Sequence, residues 1–405
     1  MPFKWEVKQI LILAGLLLGG CRTPAPTDAP VAPVLPVLGW YSIPEDQISV
    51  QRFTELRRSG LTHSFSFFDS DTVMKKALDS AAVAGVKLIA ACPGLRARPE
   101  ATVRQLKNHP ALAGYFLVDE PAPEAFQALG EWVRKIQRAD PDHFCYINLL
   151  PNYADMQQLG VKDYRAYVHR FITEVPVRLL TFDFYPVVGD TIRPGWYDNL
   201  EVFSDEARKA GKPFWAFALA TAHADYPIPT LAQLRLQVYS NLAYGAQGIE
   251  YFTYWTPEST TWDFHRGPIT RLGQRTEVYD RIKQINKEIQ ALSEVFVGAQ
   301  VISVSHTGAV IPNGTHRLGK LPAPITSLET GGSGAVVALL ENKGWEYLLV
   351  VNRNFKNAMP IRISCTPFVQ RILKDGSAVA ADRYVDRLQV APGDVVIYRW
   401  SKDEQ

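Results

Sequence analysis

Tyr115-Phe116-Leu117-Val118-Asp119-Glu120-Pro121 runs four apolar residues into two adjacent acids and a proline. An unbroken apolar run of this length reads as a strand buried on both faces, and the proline ends it. A buried strand that stops on two carboxylates needs a setting that tolerates charge at one end only. The rest of the chain supplies that setting. Short apolar runs recur at Val37–Tyr41, Thr62–Phe68, Val86–Ala91, Tyr115–Val118, Phe144–Asn148, Leu179–Tyr185, Pro213–Ala218 and Gly248–Trp255, spaced roughly 24 to 35 residues apart. Amphipathic segments such as Val73–Ala84, Pro123–Arg138 and Leu231–Gly245 lie between them. Glycines at Ala84-Gly85-Val86 and Ala210-Gly211-Lys212 are placed to end a helix before the next strand. Eight alternating strand–helix units predict a (β/α)₈ barrel over residues 37–297. A doubly wound open sheet is the alternative, but no GxGxxG or P-loop pattern supports nucleotide binding.

After the helical stretch Gln274–Phe296 the texture changes. Ala335–Leu340 and Tyr347–Asn352 flank the turn Glu341-Asn342-Lys343-Gly344, a hairpin signal, and Leu388–Trp400 reads as strand, Pro-Gly turn, strand. A small all-β sandwich is expected over residues 298–405, with the boundary near Val295–Val301.

The chain begins with Lys4 and Lys8 before the apolar run Ile10–Leu18, then Leu18-Gly19-Gly20-Cys21. The run is too short for a stable membrane span and reads as a signal peptide over residues 1–21. The Leu-Gly-Gly-Cys pattern resembles the bacterial lipobox, which implies acylation of Cys21 and anchoring in the cell envelope. Residues 22–36 are rich in proline, favour polyproline II and read as a tether. Arginine rather than aspartate follows the cysteine, which in such lipoproteins is compatible with outer-membrane delivery.

With 43 Lys plus Arg against 41 Asp plus Glu, the net charge is only +2, and no nucleic-acid footprint is expected. Cys92, Cys145 and Cys365 show no CxxC spacing, so neither a zinc site nor a disulfide framework is predicted. No His-rich spacing suggests another metal, and no cofactor is expected.

In a barrel the carboxyl ends of the strands face the active site, which answers the question raised by the opening stretch. Asp119 and Glu120 fall where catalytic groups sit. Other strand ends carry Trp40, Tyr41, Asp69, Asn148, Asp183, Tyr185, His223, Tyr254 and Trp255. Singly, each has an ordinary packing or loop-bonding explanation. Together they describe a cleft with acids at its centre and aromatic walls, suited to stacking the apolar faces of sugars and bonding their hydroxyls.

These motifs resemble the barrel glycoside hydrolases of clan A, which end the fourth strand in Asn-Glu-Pro with the glutamate as acid/base. Here Val118-Asp119-Glu120-Pro121 has Asp119 in place of that asparagine. Tyr251-Phe252-Thr253-Tyr254-Trp255 is similar to the strand carrying the substrate-platform tryptophan. Family 42 β-galactosidases and related bacterial lipoproteins resemble the chain in barrel plus β-domain layout. The chain departs at strand seven: Trp215–His223 reads WAFALATAH, with no acid where the clan places its nucleophile.

The resemblance implies a hydrolase of an oligo- or polysaccharide, with Glu120 protonating the glycosidic oxygen. Asp183, an acid inside the otherwise apolar run Leu179–Pro186 where an unpaired charge is costly, is read as the second carboxylate, with a purely structural Asp183 paired to an arginine or a backbone amide as the alternative, and Asp119 is read as ionised beside them. Strands four and six are not neighbours, which favours the longer separation of an inverting pair. Clan D offers a rival pattern, with Asp119 as nucleophile and Asp183 as acid. Glu250 reads as low in the barrel or facing a helix. Glu258, Asp263 and His265 are weaker candidates. A tethered glycan-binding protein that has lost catalysis is the non-enzyme alternative. A purely structural envelope protein explains the strand-end acids and aromatics poorly. Cys21→Ser is expected to move the protein from the membrane to the soluble fraction; retention at the membrane, with no acyl group detectable on the unaltered protein, rules the anchor out.

Overall fold

The computed structural model describes residues 32–384 and 388–404. Cys21, the signal segment and residues 22–31 of the proline-rich tether lie outside the described residues. Eight parallel strands close a barrel: β1 (Val37–Trp40), β2 (His63–Phe65), β3 (Lys87–Ala90), β4 (Leu112–Asp119), β5 (Phe144–Leu149), β6 (Leu180–Phe182), β7 (Phe214–Leu219) and β8 (Gly248–Phe252), with β8 returning to pair with β1.

The continuous apolar runs are explained by strands buried on both faces. On β5, Phe144, Tyr146 and Asn148 point into the barrel, while Cys145, Ile147 and Leu149 pack outward against the helices. The interior is filled mainly by aromatic rings. Trp40 lies 4.3 Å from Phe65 and 5.5 Å from Phe217 between centroids, and Tyr146 is 5.8 Å from Trp40. Gly248 leaves room for Trp215, whose indole would stand 2.6 Å from a Cβ at that position. The floor below the strand ends is therefore packed solid.

Two irregularities shape the upper end of β4. Its register with β5 shifts between Phe116 and Val118, which brings Asp119 opposite Asn148. Such bulges re-aim side chains beside functional sites. Glu120 then adopts φ 46°, in the left-handed region that a side-chain-bearing residue ahead of proline rarely enters. Its N–H donates to the Asn148 carbonyl at 2.9 Å. The Tyr167 hydroxyl, from the helix Tyr164–Glu174, donates to the Pro121 carbonyl at 2.8 Å and holds the turn from outside.

Among the described residues, the helix Ser293–Phe296 is followed by nine strands in two antiparallel sheets. The larger has the order β9 (Gln300–His306), β11 (Ala335–Asn342), β12 (Trp345–Asn352), β17 (Val395–Ser401), β14 (Gln370–Ile372), β15 (Ala378–Ala380). The smaller holds β10 (Ile325–Glu329), β13 (Met359–Cys365) and β16 (Leu388–Val390). The sandwich core contains Val337, Leu339, Leu348, Val350, Tyr398 and Trp400. Alternate residues of the same strands, including Val336, Ala338, Leu340, Leu349 and Ile397, join the core of the barrel and its helices. The central strands of the large sheet are thus buried on both faces, and residues from Pro33 onward form one compact unit.

Charge also crosses this seam. Arg235, on the helix Leu231–Ala243, donates to Glu288 on the helix Glu277–Ala291 and reaches Asp394 ahead of β17 at 3.5 Å. The Tyr239 hydroxyl donates to Glu288 at 2.8 Å, and Lys374 pairs with Asp394 while lying 3.8 Å from the Tyr239 ring centre. Burial alone would raise the Glu288 carboxyl, but Arg235 and Lys374 outweigh it and hold it below the usual glutamate range. Arg235→Met is expected to cost about 3–5 kcal/mol in urea unfolding, because it leaves two buried carboxylates short of a partner. A group held low in the folded state contributes above its unfolded value, so the seam's contribution is lost as pH falls below about 4.3. An unchanged urea midpoint in the variant at neutral pH would show that the network carries no stability.

Candidate active site

The ends of β4, β5 and β6 lie side by side and bring three acids and one amide together. The Asn148 side chain donates from Nδ2 to Asp119 Oδ1 at 3.1 Å and to Asp183 Oδ1 at 3.0 Å. Its orientation is fixed from below, where the Thr181 hydroxyl donates to Asn148 Oδ1 at 3.2 Å. The two acceptor oxygens therefore lie no further apart than these two bonds laid end to end. Glu120 closes the group, its carboxyl standing within interaction distance of that of Asp183. This corrects the longer separation expected from non-adjacent strands: one asparagine spans the gap between β4 and β6, and the left-handed turn at Glu120 folds its carboxyl back onto Asp183.

Asp119 and Glu120 are open to water at the mouth, and Asp183 lies deeper. Removal from bulk water raises all three carboxyls. Asp183 stands well above the usual aspartate range, through burial first and then the charges of Glu120 and Asp119. Glu120 is raised by burial and by Asp119. The Asn148 N–H offsets part of the rise at Asp119 by favouring its charged form. Two acids in contact cannot both ionise freely, so Glu120 and Asp183 titrate as a pair that keeps a proton between them above the usual carboxylate range.

Aromatic groups surround the acids. Tyr185, two residues beyond Asp183, packs against Phe252 at 5.4 Å, Tyr226 at 5.9 Å and Phe217 at 6.3 Å. His223 is buried and lowered by burial, so it is a neutral wall residue, 4.8 Å from Tyr226 and 4.7 Å from Phe264. Trp40 belongs to the floor. Tyr41 is half-buried at φ 45° at the head of the loop after β1. Asp69 is exposed and makes its bond through its N–H, to Glu45 at 3.0 Å, with no link to the three acids.

Tyr254 and Trp255 are not in the cleft. β8 ends at Phe252, and the chain then curls over β1, with Tyr254 and Trp255 N–H groups donating to Trp40 and Tyr41 carbonyls at 3.1 and 3.0 Å. Their rings turn into the helix layer: Tyr254 packs near Tyr279, and Trp255 lies beneath Arg52 at 5.2 Å. Glu250 is inside the barrel, two residues below the end of β8. It accepts from the Tyr146 hydroxyl, and burial pushes its carboxyl well above the usual range. Glu258, Asp263 and His265 lie exposed on the β8 loop; Asp263 accepts from the Ala224 N–H at 2.7 Å and ties that loop to the β7 loop.

Sequence reasoning missed Phe67, Tyr153, Arg193, Tyr226 and Trp262. Among the described residues the substantially exposed aromatic side chains are Phe67, Tyr153 and Trp262, at 54%, 42% and 51%. All three lie on loops following barrel strands, β2, β5 and β8 respectively. An aromatic ring left in water on a loop past a strand end was the available signal. Among the described residues no cluster of His, Cys, Asp and Glu is arranged to hold a metal ion.

The fold is a closed (β/α)₈ barrel that carries a C-terminal β-sandwich. A glycoside hydrolase family 42 model, described as β-galactosidase, matches residues 135–292, less than half of the chain. That segment holds Asn148, Asp183 and His223 but not Asp119 or Glu120. A catalytic mutant of a GH42 β-galactosidase from G. stearothermophilus superposes with a TM-score of 0.61 at 8% identity, over 91% of this chain and 98% of that one. The β-galactosidase from Bacillus circulans sp. alkalophilus gives 0.60 at 10% identity, over 91% and 99%. The enzyme from the haloarchaeon Halorubrum lacusprofundi gives 0.50 at 13% identity over 66% of this chain, which spans only 59% of that protein's length. At such identities the likeness is one of fold. No curated protein matches the chain.

The raised carboxyl at Asp183 sets a pH signature. Its folded value lies above its unfolded one, so its contribution is complete below about pH 3.9 and is lost as pH rises through the folded value. Asp183→Asn cannot ionise and is expected to melt above the unaltered protein at about pH 7, with the difference shrinking towards about pH 4. Calorimetric melting at both pH values checks this; a variant no more stable than its parent at neutral pH overturns the assignment.

Proposed function

We propose that this protein hydrolyses O-glycosidic bonds of an oligo- or polysaccharide, with a proton shared by Glu120 and Asp183 and with Asp119 as the ionised second carboxylate. The observation that carries the reading is the Asn148 bridge, which holds an anion and a proton-bearing pair at one spacing on the C-terminal face of the barrel. In this scheme Asp119 attacks the anomeric carbon. The pair delivers its proton through Glu120, the more accessible member, to the departing oxygen. Water then cleaves the glycosyl ester and returns a proton to the pair. The partial match to a β-galactosidase model makes aryl galactosides the first neutral substrates to try. Anchoring through acylated Cys21 in the bacterial envelope remains part of the proposal.

A second reading, a glycan-binding protein without turnover, is favoured by Ala220-Thr221-Ala222 after β7, where no acid stands. Turnover of an aryl-glycoside panel by a form lacking residues 1–31 separates the two. Glu120→Gln is expected to lower kcat by about 10²–10⁴-fold, the usual contribution of a positioned acid–base group, and Asp119→Asn, which removes the nucleophile, to lower it at least as much, while sugar binding persists. A protein that binds sugars by calorimetry but turns none over is the binder. Full turnover of an unactivated glycoside by Glu120→Gln would remove Glu120 from the chemistry.

A further inference from the structure

Resting on the hydrolase reading, we infer that the cleft takes an acidic sugar, whose carboxylate or sulfate is bound by Arg193. The β6 loop turns through a short hairpin, Val187–Val188 with Thr191–Ile192, and delivers Arg193 to the tyrosine wall. Its N–H donates to the Pro186 carbonyl at 2.6 Å, which fixes the base of the side chain. Its guanidinium lies 4.3 Å from the Tyr153 ring centre and 5.5 Å from that of Tyr226, and Nη2 donates to the Tyr226 hydroxyl at 2.9 Å.

The wall connects this arginine to the acids. Tyr153 packs on Phe184 at 5.0 Å, and Tyr226 on Tyr185 at 5.9 Å; Phe184 and Tyr185 are the two residues that follow Asp183. Asp183 and Arg193 both lie close enough to Tyr153 and Tyr226 to act on them electrostatically.

Arg193 is only partly buried, and among the described residues no Asp or Glu oxygen lies within ion-pair distance of it. Arg165, Arg235 and Arg275 all have such partners. A guanidinium offers five N–H donors in a planar fork, and one side-chain bond uses a single donor here. Stacking between two tyrosines orients the fork without neutralising it. An arginine serving only to offset the three catalytic acids would be expected to pair with one of them. A cation held flat against the wall and short of acceptors instead matches a bidentate oxyanion on the substrate. The exposed Tyr153 ring offers the same sugar a stacking face, so ring and charge would be read together. The proton shared by Glu120 and Asp183 lowers the repulsion that an acidic sugar meets.

The test uses calorimetric binding to Glu120→Gln, with glucuronate, galacturonate and galactose 6-sulfate against glucose and galactose. Acidic sugars are expected to bind more tightly than neutral ones. Adding Arg193→Ala should reduce the acidic-to-neutral binding ratio about 10- to 100-fold, as loss of charge-assisted hydrogen bonds does. Arg193→Lys, which keeps the charge but not the fork, should recover only part of it. The uronate and sulfate arms report which oxyanion is preferred. Equal weakening of acidic and neutral sugars by Arg193→Ala, in a protein whose melting temperature is unchanged, would assign Arg193 to wall structure and overturn the inference. Neutral glycosides cleaved and preferred by the unaltered enzyme overturn it as well, while the hydrolase reading stands. A protein that neither binds nor cleaves any of these sugars overturns both.

Discussion

The Asn148 side chain is the joint on which the site depends. A primary amide has two N–H donors, and here each is given to a different carboxylate on a different strand. Its oxygen is spoken for by Thr181, so the amide cannot turn to satisfy one acid at the expense of the other. That arrangement demands that β4 be out of simple register with β5, which the shift between Phe116 and Val118 provides. It also leaves Glu120 no extended continuation, and the residue turns left-handed and reaches Asp183. Three acids in one recess would repel one another if all were charged. The shared proton, the amide and the open mouth make the grouping tolerable.

Such a cluster needs rigid surroundings, and two features provide them. The barrel interior below the acids is filled by large rings on alternating positions of the strands. The β-sandwich braces the outside, since its large sheet buries one face in its own core and the other against the helix layer. Strain is concentrated at the upper rim. Tyr41, Glu120 and Ala224 all have φ near 45°, and they stand in the loops after β1, β4 and β7. Side-chain-bearing residues in that region cost of order 1–3 kcal/mol each and persist where the surrounding structure over-determines them.

The walls give the cleft two unlike sides. Phe67, Phe65 and Phe116 form an apolar edge near β2 and β4. Tyr153, Tyr185, Tyr226 and Arg193 form a polar, cationic edge beyond β6. A ligand lying across the acids would meet ring faces on both sides but charge on one, an asymmetry that fixes its direction in the cleft.

By itself the sequence determined the barrel, the sandwich and the height of the acids. Period, run length and turn residues are local signals, and a strand buried on both faces has few other readings. Asp119, Glu120, Asn148 and Asp183 were legible for the same reason: each follows or ends an apolar run, so each had to stand at a strand end. The sequence could not say which strand-end side chains converge. Tyr254 and Trp255 follow β8 in the pattern seen elsewhere, yet the chain bends over β1 there and sends both rings outward. Arg193 and Tyr226 lie in loops without periodicity, and they meet only because the β6 and β7 loops pack together. The contact between Glu120 and Asp183 depended on a one-residue register shift and a single left-handed turn. Tertiary structure decided these points because they turn on where loops cross and how two strands register, and neither is a property of any short stretch of chain.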